Sequence, residues 1–202
     1  FYADGLLSLY EATGEIGWFR RTVGLADRII DLFWDPSLPG FFDATAAHDN
    51  LPVQPRSFID NATPSGSSVA TELLLRLGAL TGEGRYREVA EANLRALADF
   101  MVKAPAGAGR LLCALDFYIG PVKEVALVGP AEDPVWGELY REVFGRYLPN
   151  KVVALGRGPT EEVPLLAGRE AVDGRPTAYV CQNFVCRLPA RTAEELRAQL
   201  EE

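Results

Sequence analysis

Apolar residues fall at helical spacing from the start of the chain, where Leu6, Leu7, Leu9 and Tyr10 predict a helix over residues 1–13, ended by Gly14. A second helix takes Glu15 into its first turn and runs to about residue 33, with Trp18, Thr22, Leu25, Ala26, Ile29 and Phe33 on one stripe. A second hairpin follows: Val69, Leu73, Leu77 and Leu80, a break at Gly82, then Tyr86, Val89, Ala90, Leu94, Leu97 and Met101 on the returning helix. Shifting the chain by 68 positions carries Leu6, Leu9, Thr13, Gly14, Glu15 and Trp18 onto Leu74, Leu77, Thr81, Gly82, Glu83 and Tyr86. A hairpin repeat of this kind cannot bury both faces alone, so it stacks on its neighbours as an open solenoid or a closed toroid. Between the hairpins, Asp35-Pro36 and Pro39-Gly40 are turn signals, Phe41-Phe42-Asp43 is a short extended piece, and residues 44–60 form a polar excursion. Long loops at one end of the helices favour a toroid with a binding face.

Leu111 to Ile119 adds a fifth helical segment before Gly120-Pro121, and there the period changes. Val125 to Gly129 reads as a strand, residues 133–147 as a helix with Val135, Leu139, Val143 and Tyr147 aligned, and Val152 to Gly156 as a second strand. The two strands of this β-α-β unit are expected to be parallel. Thr177 to Cys181 is a third strand, and Thr192 with Glu195 forms a capping box for a terminal helix. The expected fold is therefore mainly α, with helical hairpins over residues 1–121 and a small α/β segment over 122–202.

Composition narrows the partners. With 202 residues, 48% of them hydrophobic, the chain can bury a real core. A net charge of −8 and the lack of a basic cluster with interleaved aromatics argue against nucleic acid or an anionic membrane. No signal peptide is expected in these residues, and none of their apolar runs is of membrane-spanning length. Three cysteines are not a secreted disulfide framework, so a reducing cytoplasm is expected. The chain opens on Phe1 rather than Met and runs straight into a helix, as expected of a piece of a larger protein.

Several strings resemble one family. Asp60-Asn61-Ala62-Thr63-Pro64-Ser65-Gly66, Glu11-Ala12-Thr13-Gly14, the Val125 to Gly129 strand, and Thr177 to Cys181 with Phe184 and Cys186 are similar to the C-terminal part of thioredoxin-domain proteins whose mammalian members are called spermatogenesis-associated. The resemblance runs through essentially the whole chain. It implies an N-terminal thioredoxin-like domain and a partial (α/α)6 toroid similar to that of N-acylglucosamine 2-epimerases, completed by helices preceding Phe1. The expected partners are therefore those toroid helices, the thioredoxin-like domain, and a carbohydrate. Such epimerases work through histidine acid/base chemistry, and the single histidine here, His48, lies in a polar loop.

The loop from Asp60 to Ser68 is the first candidate site. Asp60 could act as acceptor or general base, Asn61, Thr63 and Ser65 as polar contacts, and Arg56 as complement to a negative group. The plainer reading has Pro64 and Gly66 shaping a turn, Ser67 or Ser68 capping the helix, and Asp60 satisfying loop amides. Tyr2 and Asp4 form the second candidate, an aromatic platform beside a carboxylate. Asp4 and Asp60 could form a glycosidase pair if their carboxyls lie at about 5–9.5 Å. Cys181 and Cys186 are read either as buried structural thiols or as a redox dithiol serving the thioredoxin-like domain. Their spacing fits no zinc site, and no metal or cofactor is expected, since Val128-Gly129-Pro130 lacks a dinucleotide fingerprint. Cys113, on the fifth helix, is read as core. Two functions follow as expectations: a carbohydrate-binding or sugar-modifying piece, epimerase- or glycosidase-like if an enzyme, or a non-catalytic interaction or redox-partner module.

Overall fold

The hairpin repeat is visible in the backbone of both turns. In the computed structural model, which describes residues 1–45 and 53–201, Gly14 and Gly82 both take left-handed dihedrals, φ 71° and 74°. Each is followed by an extended glutamate, Glu15 at φ −71°, ψ 106° and Glu83 at φ −70°, ψ 108°. A left-handed residue just past a helix end lets its N–H reach back to an orphan carbonyl, and glycine does this without a Cβ penalty. The Gly14 N–H accordingly donates to Tyr10 O at 2.7 Å.

The chain forms two compact units. One comprises Phe1–Ser8, Glu15–Gly78 and Glu83–Ile119, and the other Leu9–Gly14, Ala79–Gly82 and Gly120–Glu202. The elements ahead of Gly120 are helices: α1 (Tyr2–Thr13), α2 (Ile16–Phe33), α3 (Gly66–Thr81), α4 (Gly84–Ala96), α5 (Ala98–Lys103) and α6 (Gly109–Ile119). The predicted returning helix of the second hairpin is thus two helices, divided at Leu97, which leaves the helical region at φ −100°, ψ 9°.

Val69, Leu73, Leu77 and Leu80 of α3 and Tyr86, Ala90, Leu94 and Met101 on the return are all buried, as their spacing predicts. On α2 the buried set is Phe19, Thr22, Ala26 and Ile30, turned slightly from the predicted stripe. Both sets obey helical spacing and share Thr22 and Ala26, and Trp18 stays near the surface with Arg21 stacked 5.4 Å from its ring. Cys113 is exposed, not core, because α6 buries Leu111, Ala114 and Phe117 and the thiol lies off that face. Asn93 is wholly buried and donates to Thr71 Oγ1 at 2.7 Å and Ser67 Oγ at 3.1 Å. This polar tie fixes α4 against α3, since an unmatched buried amide would cost about 1–3 kcal/mol.

The α/β unit holds β1 (Lys123–Val128), α7 (Pro134–Phe144), β2 (Lys151–Gly156), β3 (Thr177–Gln182), β4 (Val185–Cys186) and α8 (Ala193–Glu201). The sheet order is β2-β1-β3-β4. β1 and β2 are parallel, as expected of a β-α-β crossover, while β3 runs antiparallel to β1. Val125, Leu127, Val153, Leu155, Ala178 and Val180 pack with Leu139 and Val143 of α7 and Leu196 and Leu200 of α8. Asp133 caps α7 by accepting from Val135 N at 2.9 Å. That helix ends at Phe144, short of the prediction, and Tyr147 is exposed. The predicted capping box is present on α8: Glu195 N donates to Thr192 Oγ1 and Thr192 N to Glu195 Oε2, both at 3.2 Å.

Gly129, just after β1, adopts φ 135°, and a Cβ there would meet Pro176 Cα at 2.7 Å. Gly129→Ala is expected to destabilise the chain by about 2 kcal/mol. Gly137→Ala, in α7 where nothing lies within 4 Å of the added carbon, is expected to stabilise it by about 0.5–1 kcal/mol. Urea unfolding followed by circular dichroism measures both.

Candidate functional site

The Asp60 loop comes first, because its carboxylate is already surrounded by donors. Oδ1 accepts from Ser65 N at 2.8 Å, and Oδ2 accepts from Arg110 N at 2.8 Å and Leu111 N at 3.1 Å. Asp60 therefore closes its own turn and also caps the first turn of α6 from 50 positions away, where the orphan N–H groups favour an anion. Partial burial pushes its carboxyl up, but the amides of Ser65, Leu111 and Arg110 and the Ser68 hydroxyl outweigh this and hold it below the ordinary range. A carboxylate held in that way is a poor proton acceptor, so the general-base role read from sequence gives way to a structural one.

Around it, Ser65 caps α3, not Ser67 or Ser68 as read from sequence. Ser68 N donates to Ser65 Oγ at 3.1 Å, while Ser67 and Ser68 are buried inside the first turn. Asn61 and Thr63 are exposed and share a turn, Asn61 N donating to Thr63 O at 3.2 Å. Arg56 is engaged by the preceding loop: it pairs with Asp35, donates to Leu38 O at 2.7 Å, and stacks 4.0 Å over the Phe42 ring. It does not present a free cation to the Asp60 turn. His48 lies outside the described residues.

Asp4 belongs to an ionic cluster that sequence reasoning only partly found. Its Oδ1 accepts from Arg76 Nη1 at 2.7 Å, and its Oδ2 lies 3.7 Å from Arg110 Nη2. Arg110 Nε in turn reaches Glu72 Oε2 at 2.5 Å. Arg110 thus joins the two sequence candidates, its backbone N–H on Asp60 and its guanidinium on Asp4 and Glu72. Burial raises the Glu72 carboxyl above its usual range, and the nearby Arg110 and Arg76 only partly offset this, with Asp4 adding to the rise. Glu72 and Arg76 stand one turn apart on an otherwise apolar helix, and that was the overlooked signal. Tyr2 is exposed at the start of α1.

The third constellation lies in the α/β unit. Cys181 and Cys186 are directly paired across β3 and β4 and form a disulfide, a pairing the sequence left open. The hairpin between the strands turns on Asn183 and Phe184, both left-handed at φ 50° and 62°. Phenylalanine is disfavoured there, and Glu124 holds the turn by accepting from Phe184 N at 2.7 Å. Arg169 reaches over the sulfurs, with Nη2 3.0 Å from Cys186 Sγ and 3.6 Å from Cys181 Sγ. Its Nη1 donates to Ala167 O at 2.7 Å. Its buried Nε has no hydrogen-bond partner among the described residues. A cavity of about 350 Å³ lies at this sheet edge, lined in part by Lys123, Gln182, Val185, Cys186 and Arg187. Among the described residues, no group of three or more His, Cys, Asp or Glu side chains is arranged to hold a metal, and no helix is long and apolar enough to cross a membrane.

The Asp60 loop and the Tyr179-Val180-Cys181 segment therefore each fall within one of these arrangements. The chain is similar to spermatogenesis-associated protein 20. With that protein from Homo sapiens it shares 31% identity over 206 residues, 99% of this chain and 26% of the relative. The Mus musculus protein of the same name is 30% identical over 208 residues. An uncharacterized protein of Caenorhabditis elegans is 27% identical over 202 residues. The chain spans about a quarter of the length of these curated relatives. No family model matches it.

The Asp60 geometry fixes a sign. Because its carboxyl is held down in the folded state, the stability it contributes is present above its unfolded value, near 3.8, and is lost as pH falls through the lower folded value. Asp60→Asn is expected to destabilise by about 1 kcal/mol at neutral pH. The gap from the parent should close as the pH is lowered below that window. Thermal unfolding of both proteins across the acid range checks this.

Proposed function

We propose that the chain is a thiol–disulfide exchange module, whose Cys181–Cys186 disulfide accepts two electrons from a protein dithiol of the Cys-X-X-Cys kind. The observation that carries this reading is Arg169, a half-buried guanidinium beside the sulfurs. Glu124 acts on it electrostatically, but no direct ion pair is formed among the described residues and one donor is left over. A neutral disulfide is a weak acceptor and leaves that charge poorly matched, whereas a thiolate formed on reduction matches it. Cys186, the more exposed of the two, is the sulfur open to attack.

The exchange balances without any further reagent. A thiolate of the partner attacks Cys186 Sγ, the Cys181–Cys186 bond breaks, and Cys181 leaves as a thiolate within 3.6 Å of Arg169 Nη2. The partner's second thiolate then attacks its own half of the mixed disulfide and releases Cys186 as a thiolate against the same guanidinium. One disulfide is lost here and one forms in the partner; of the partner's two thiol protons one ends on Cys181 and the other passes to solvent, leaving Cys186 as the thiolate. The natural donor is the thioredoxin-like domain that the family resemblance implies elsewhere in the polypeptide, in a reducing, cytoplasmic setting.

The Asp4–Glu72–Arg76–Arg110 cluster favours a second reading, a carbohydrate site on the helical unit. The repeated hairpins support part of an (α/α)6 toroid, closed by helices from the rest of the polypeptide. In this reading Glu72, whose carboxyl is raised, donates a proton, Asp4 is held in place by Arg76, and Tyr2 supplies the stacking platform.

Incubation of the oxidised chain with a reduced thioredoxin is expected to expose two further alkylatable thiols by mass spectrometry, with exposed Cys113 labelled in both states. Arg169→Met should slow that reduction by about tenfold. A disulfide that stays intact, or a rate unchanged in Arg169→Met, overturns the redox reading. For the second reading, a thermal-shift panel of sugars is expected to give a ligand whose effect is lost in Glu72→Gln, and the absence of any ligand sinks it.

A further inference from the structure

The sheet register sets a carboxylate in line with the disulfide. β1 pairs Glu124 with Cys181, and β3 pairs Cys181 with Cys186. Residues directly opposed on antiparallel strands project from the same face. Glu124, Cys181 and Cys186 therefore form one row across three strands, with Arg169 over its outer end. Glu124 is 4% exposed, and a carboxylate so placed in mid-sheet is costly unless it has work to do there. Holding the amide of Phe184 explains one acceptor oxygen. The Asn183 amide and the Arg169 charge also favour the ionised form, so this carboxylate is tied both to the turn and to the guanidinium over the sulfurs.

The two sulfurs face unlike charges. Cys181 is buried and stands directly opposite Glu124, while Cys186 lies nearer to Arg169, at 3.0 Å against 3.6 Å. The other titratable group on this face is Tyr179, two positions along β3, whose hydroxyl donates to Glu170 O at 2.7 Å. Lys123 and Arg187 line the cavity at this sheet edge together with Cys181 and Cys186, so their charges also bear on the sulfurs. Resting on the thiol–disulfide reading, we propose that Glu124 fixes the order in which the reduced pair ionises, keeping Cys181 protonated while Arg169 draws Cys186 into the thiolate form. Cys186 is then the sulfur that meets the partner. Cys181 is the one that closes the ring, giving up its proton towards Glu124 as it attacks Cys186 in the mixed disulfide. Burial, which raises the Glu124 carboxyl above its usual range against the pull of the turn amides and Arg169, suits it to share that proton.

The test isolates each thiol. With Cys113→Ser and Cys186→Ser in place, the remaining Cys181 is titrated by its ultraviolet thiolate absorbance, and with Cys113→Ser and Cys181→Ser the remaining Cys186 is titrated in the same way. Cys186 is expected to titrate below Cys181. Glu124→Gln, which keeps the acceptor for Phe184, is expected to lower the Cys181 midpoint by about one pH unit, because a neighbouring negative charge is gone. Arg169→Met should raise the Cys186 midpoint, and Arg169→Lys should restore it in part. An unmoved Cys181 midpoint in Glu124→Gln overturns the inference, even if that variant melts at a lower temperature, since a purely structural role predicts that combination. The two claims fail separately: exchange with thioredoxin that proceeds while Cys181 is unmoved sinks this inference alone, and a shifted Cys181 in a chain that never exchanges sinks the redox reading alone.

Discussion

A carboxylate taken out of water must be met by donors, and three such groups organise this chain. Asp60 collects three backbone amides, two of them at the start of α6. Glu72 lies against Arg110, whose own backbone is one of those held by Asp60. Glu124 holds the hairpin that carries Cys186. Each has a neighbour at a distant sequence position, so each couples the local fold of one segment to the placement of another. Removing the acceptor oxygens of any of them would release the segment it holds.

The two units use this constraint differently. In the helical unit the charges largely cancel: Asp4, Glu72, Arg76 and Arg110 are two acids and two bases at 2.5–3.7 Å. In the α/β unit the balance is left open. Arg169 has sulfur within hydrogen-bonding reach and Glu124 has the turn amides, and the two charges act on each other without a direct ion pair among the described residues. An open balance beside a bond that can be reduced is the reason the redox reading rests on that unit, and the closed one in the helical unit is the reason the carbohydrate reading ranks second.

Much of the fold was legible in the sequence because it follows from local physics. Apolar spacing gave both hairpins, Gly14 and Gly82 gave their turns, and Thr192 with Glu195 gave the cap of α8. The errors were errors of facing. Cys113 sits on a helix that is apolar on more than one side, so its exposure was decided by what packs there. The stripe of α2 was displaced for the same reason, since two overlapping sets both satisfied helical spacing. At the candidate sites, the residue types Asp60, Asp4, Cys181 and Cys186 were visible, but Glu72, Arg110, Arg169 and Glu124 were not, because nothing in one dimension says which charge a distant strand or loop will bring near.

The loop from Asp60 to Ser68 illustrates the division. By itself the sequence determined that it is a polar turn shaped by Pro64 and Gly66 and leading into a helix, since turn chemistry and capping act within a few residues. Only the tertiary structure decided that the carboxylate of Asp60 points at the amides of Arg110 and Leu111 and so serves α6. In the same way the sequence supplied two cysteines at a strand end, and the register of β1, β3 and β4 decided that they pair with each other and with Glu124. Backbone preferences are short-ranged, whereas the pairing of charges and sulfurs depends on which segments the packed core brings together.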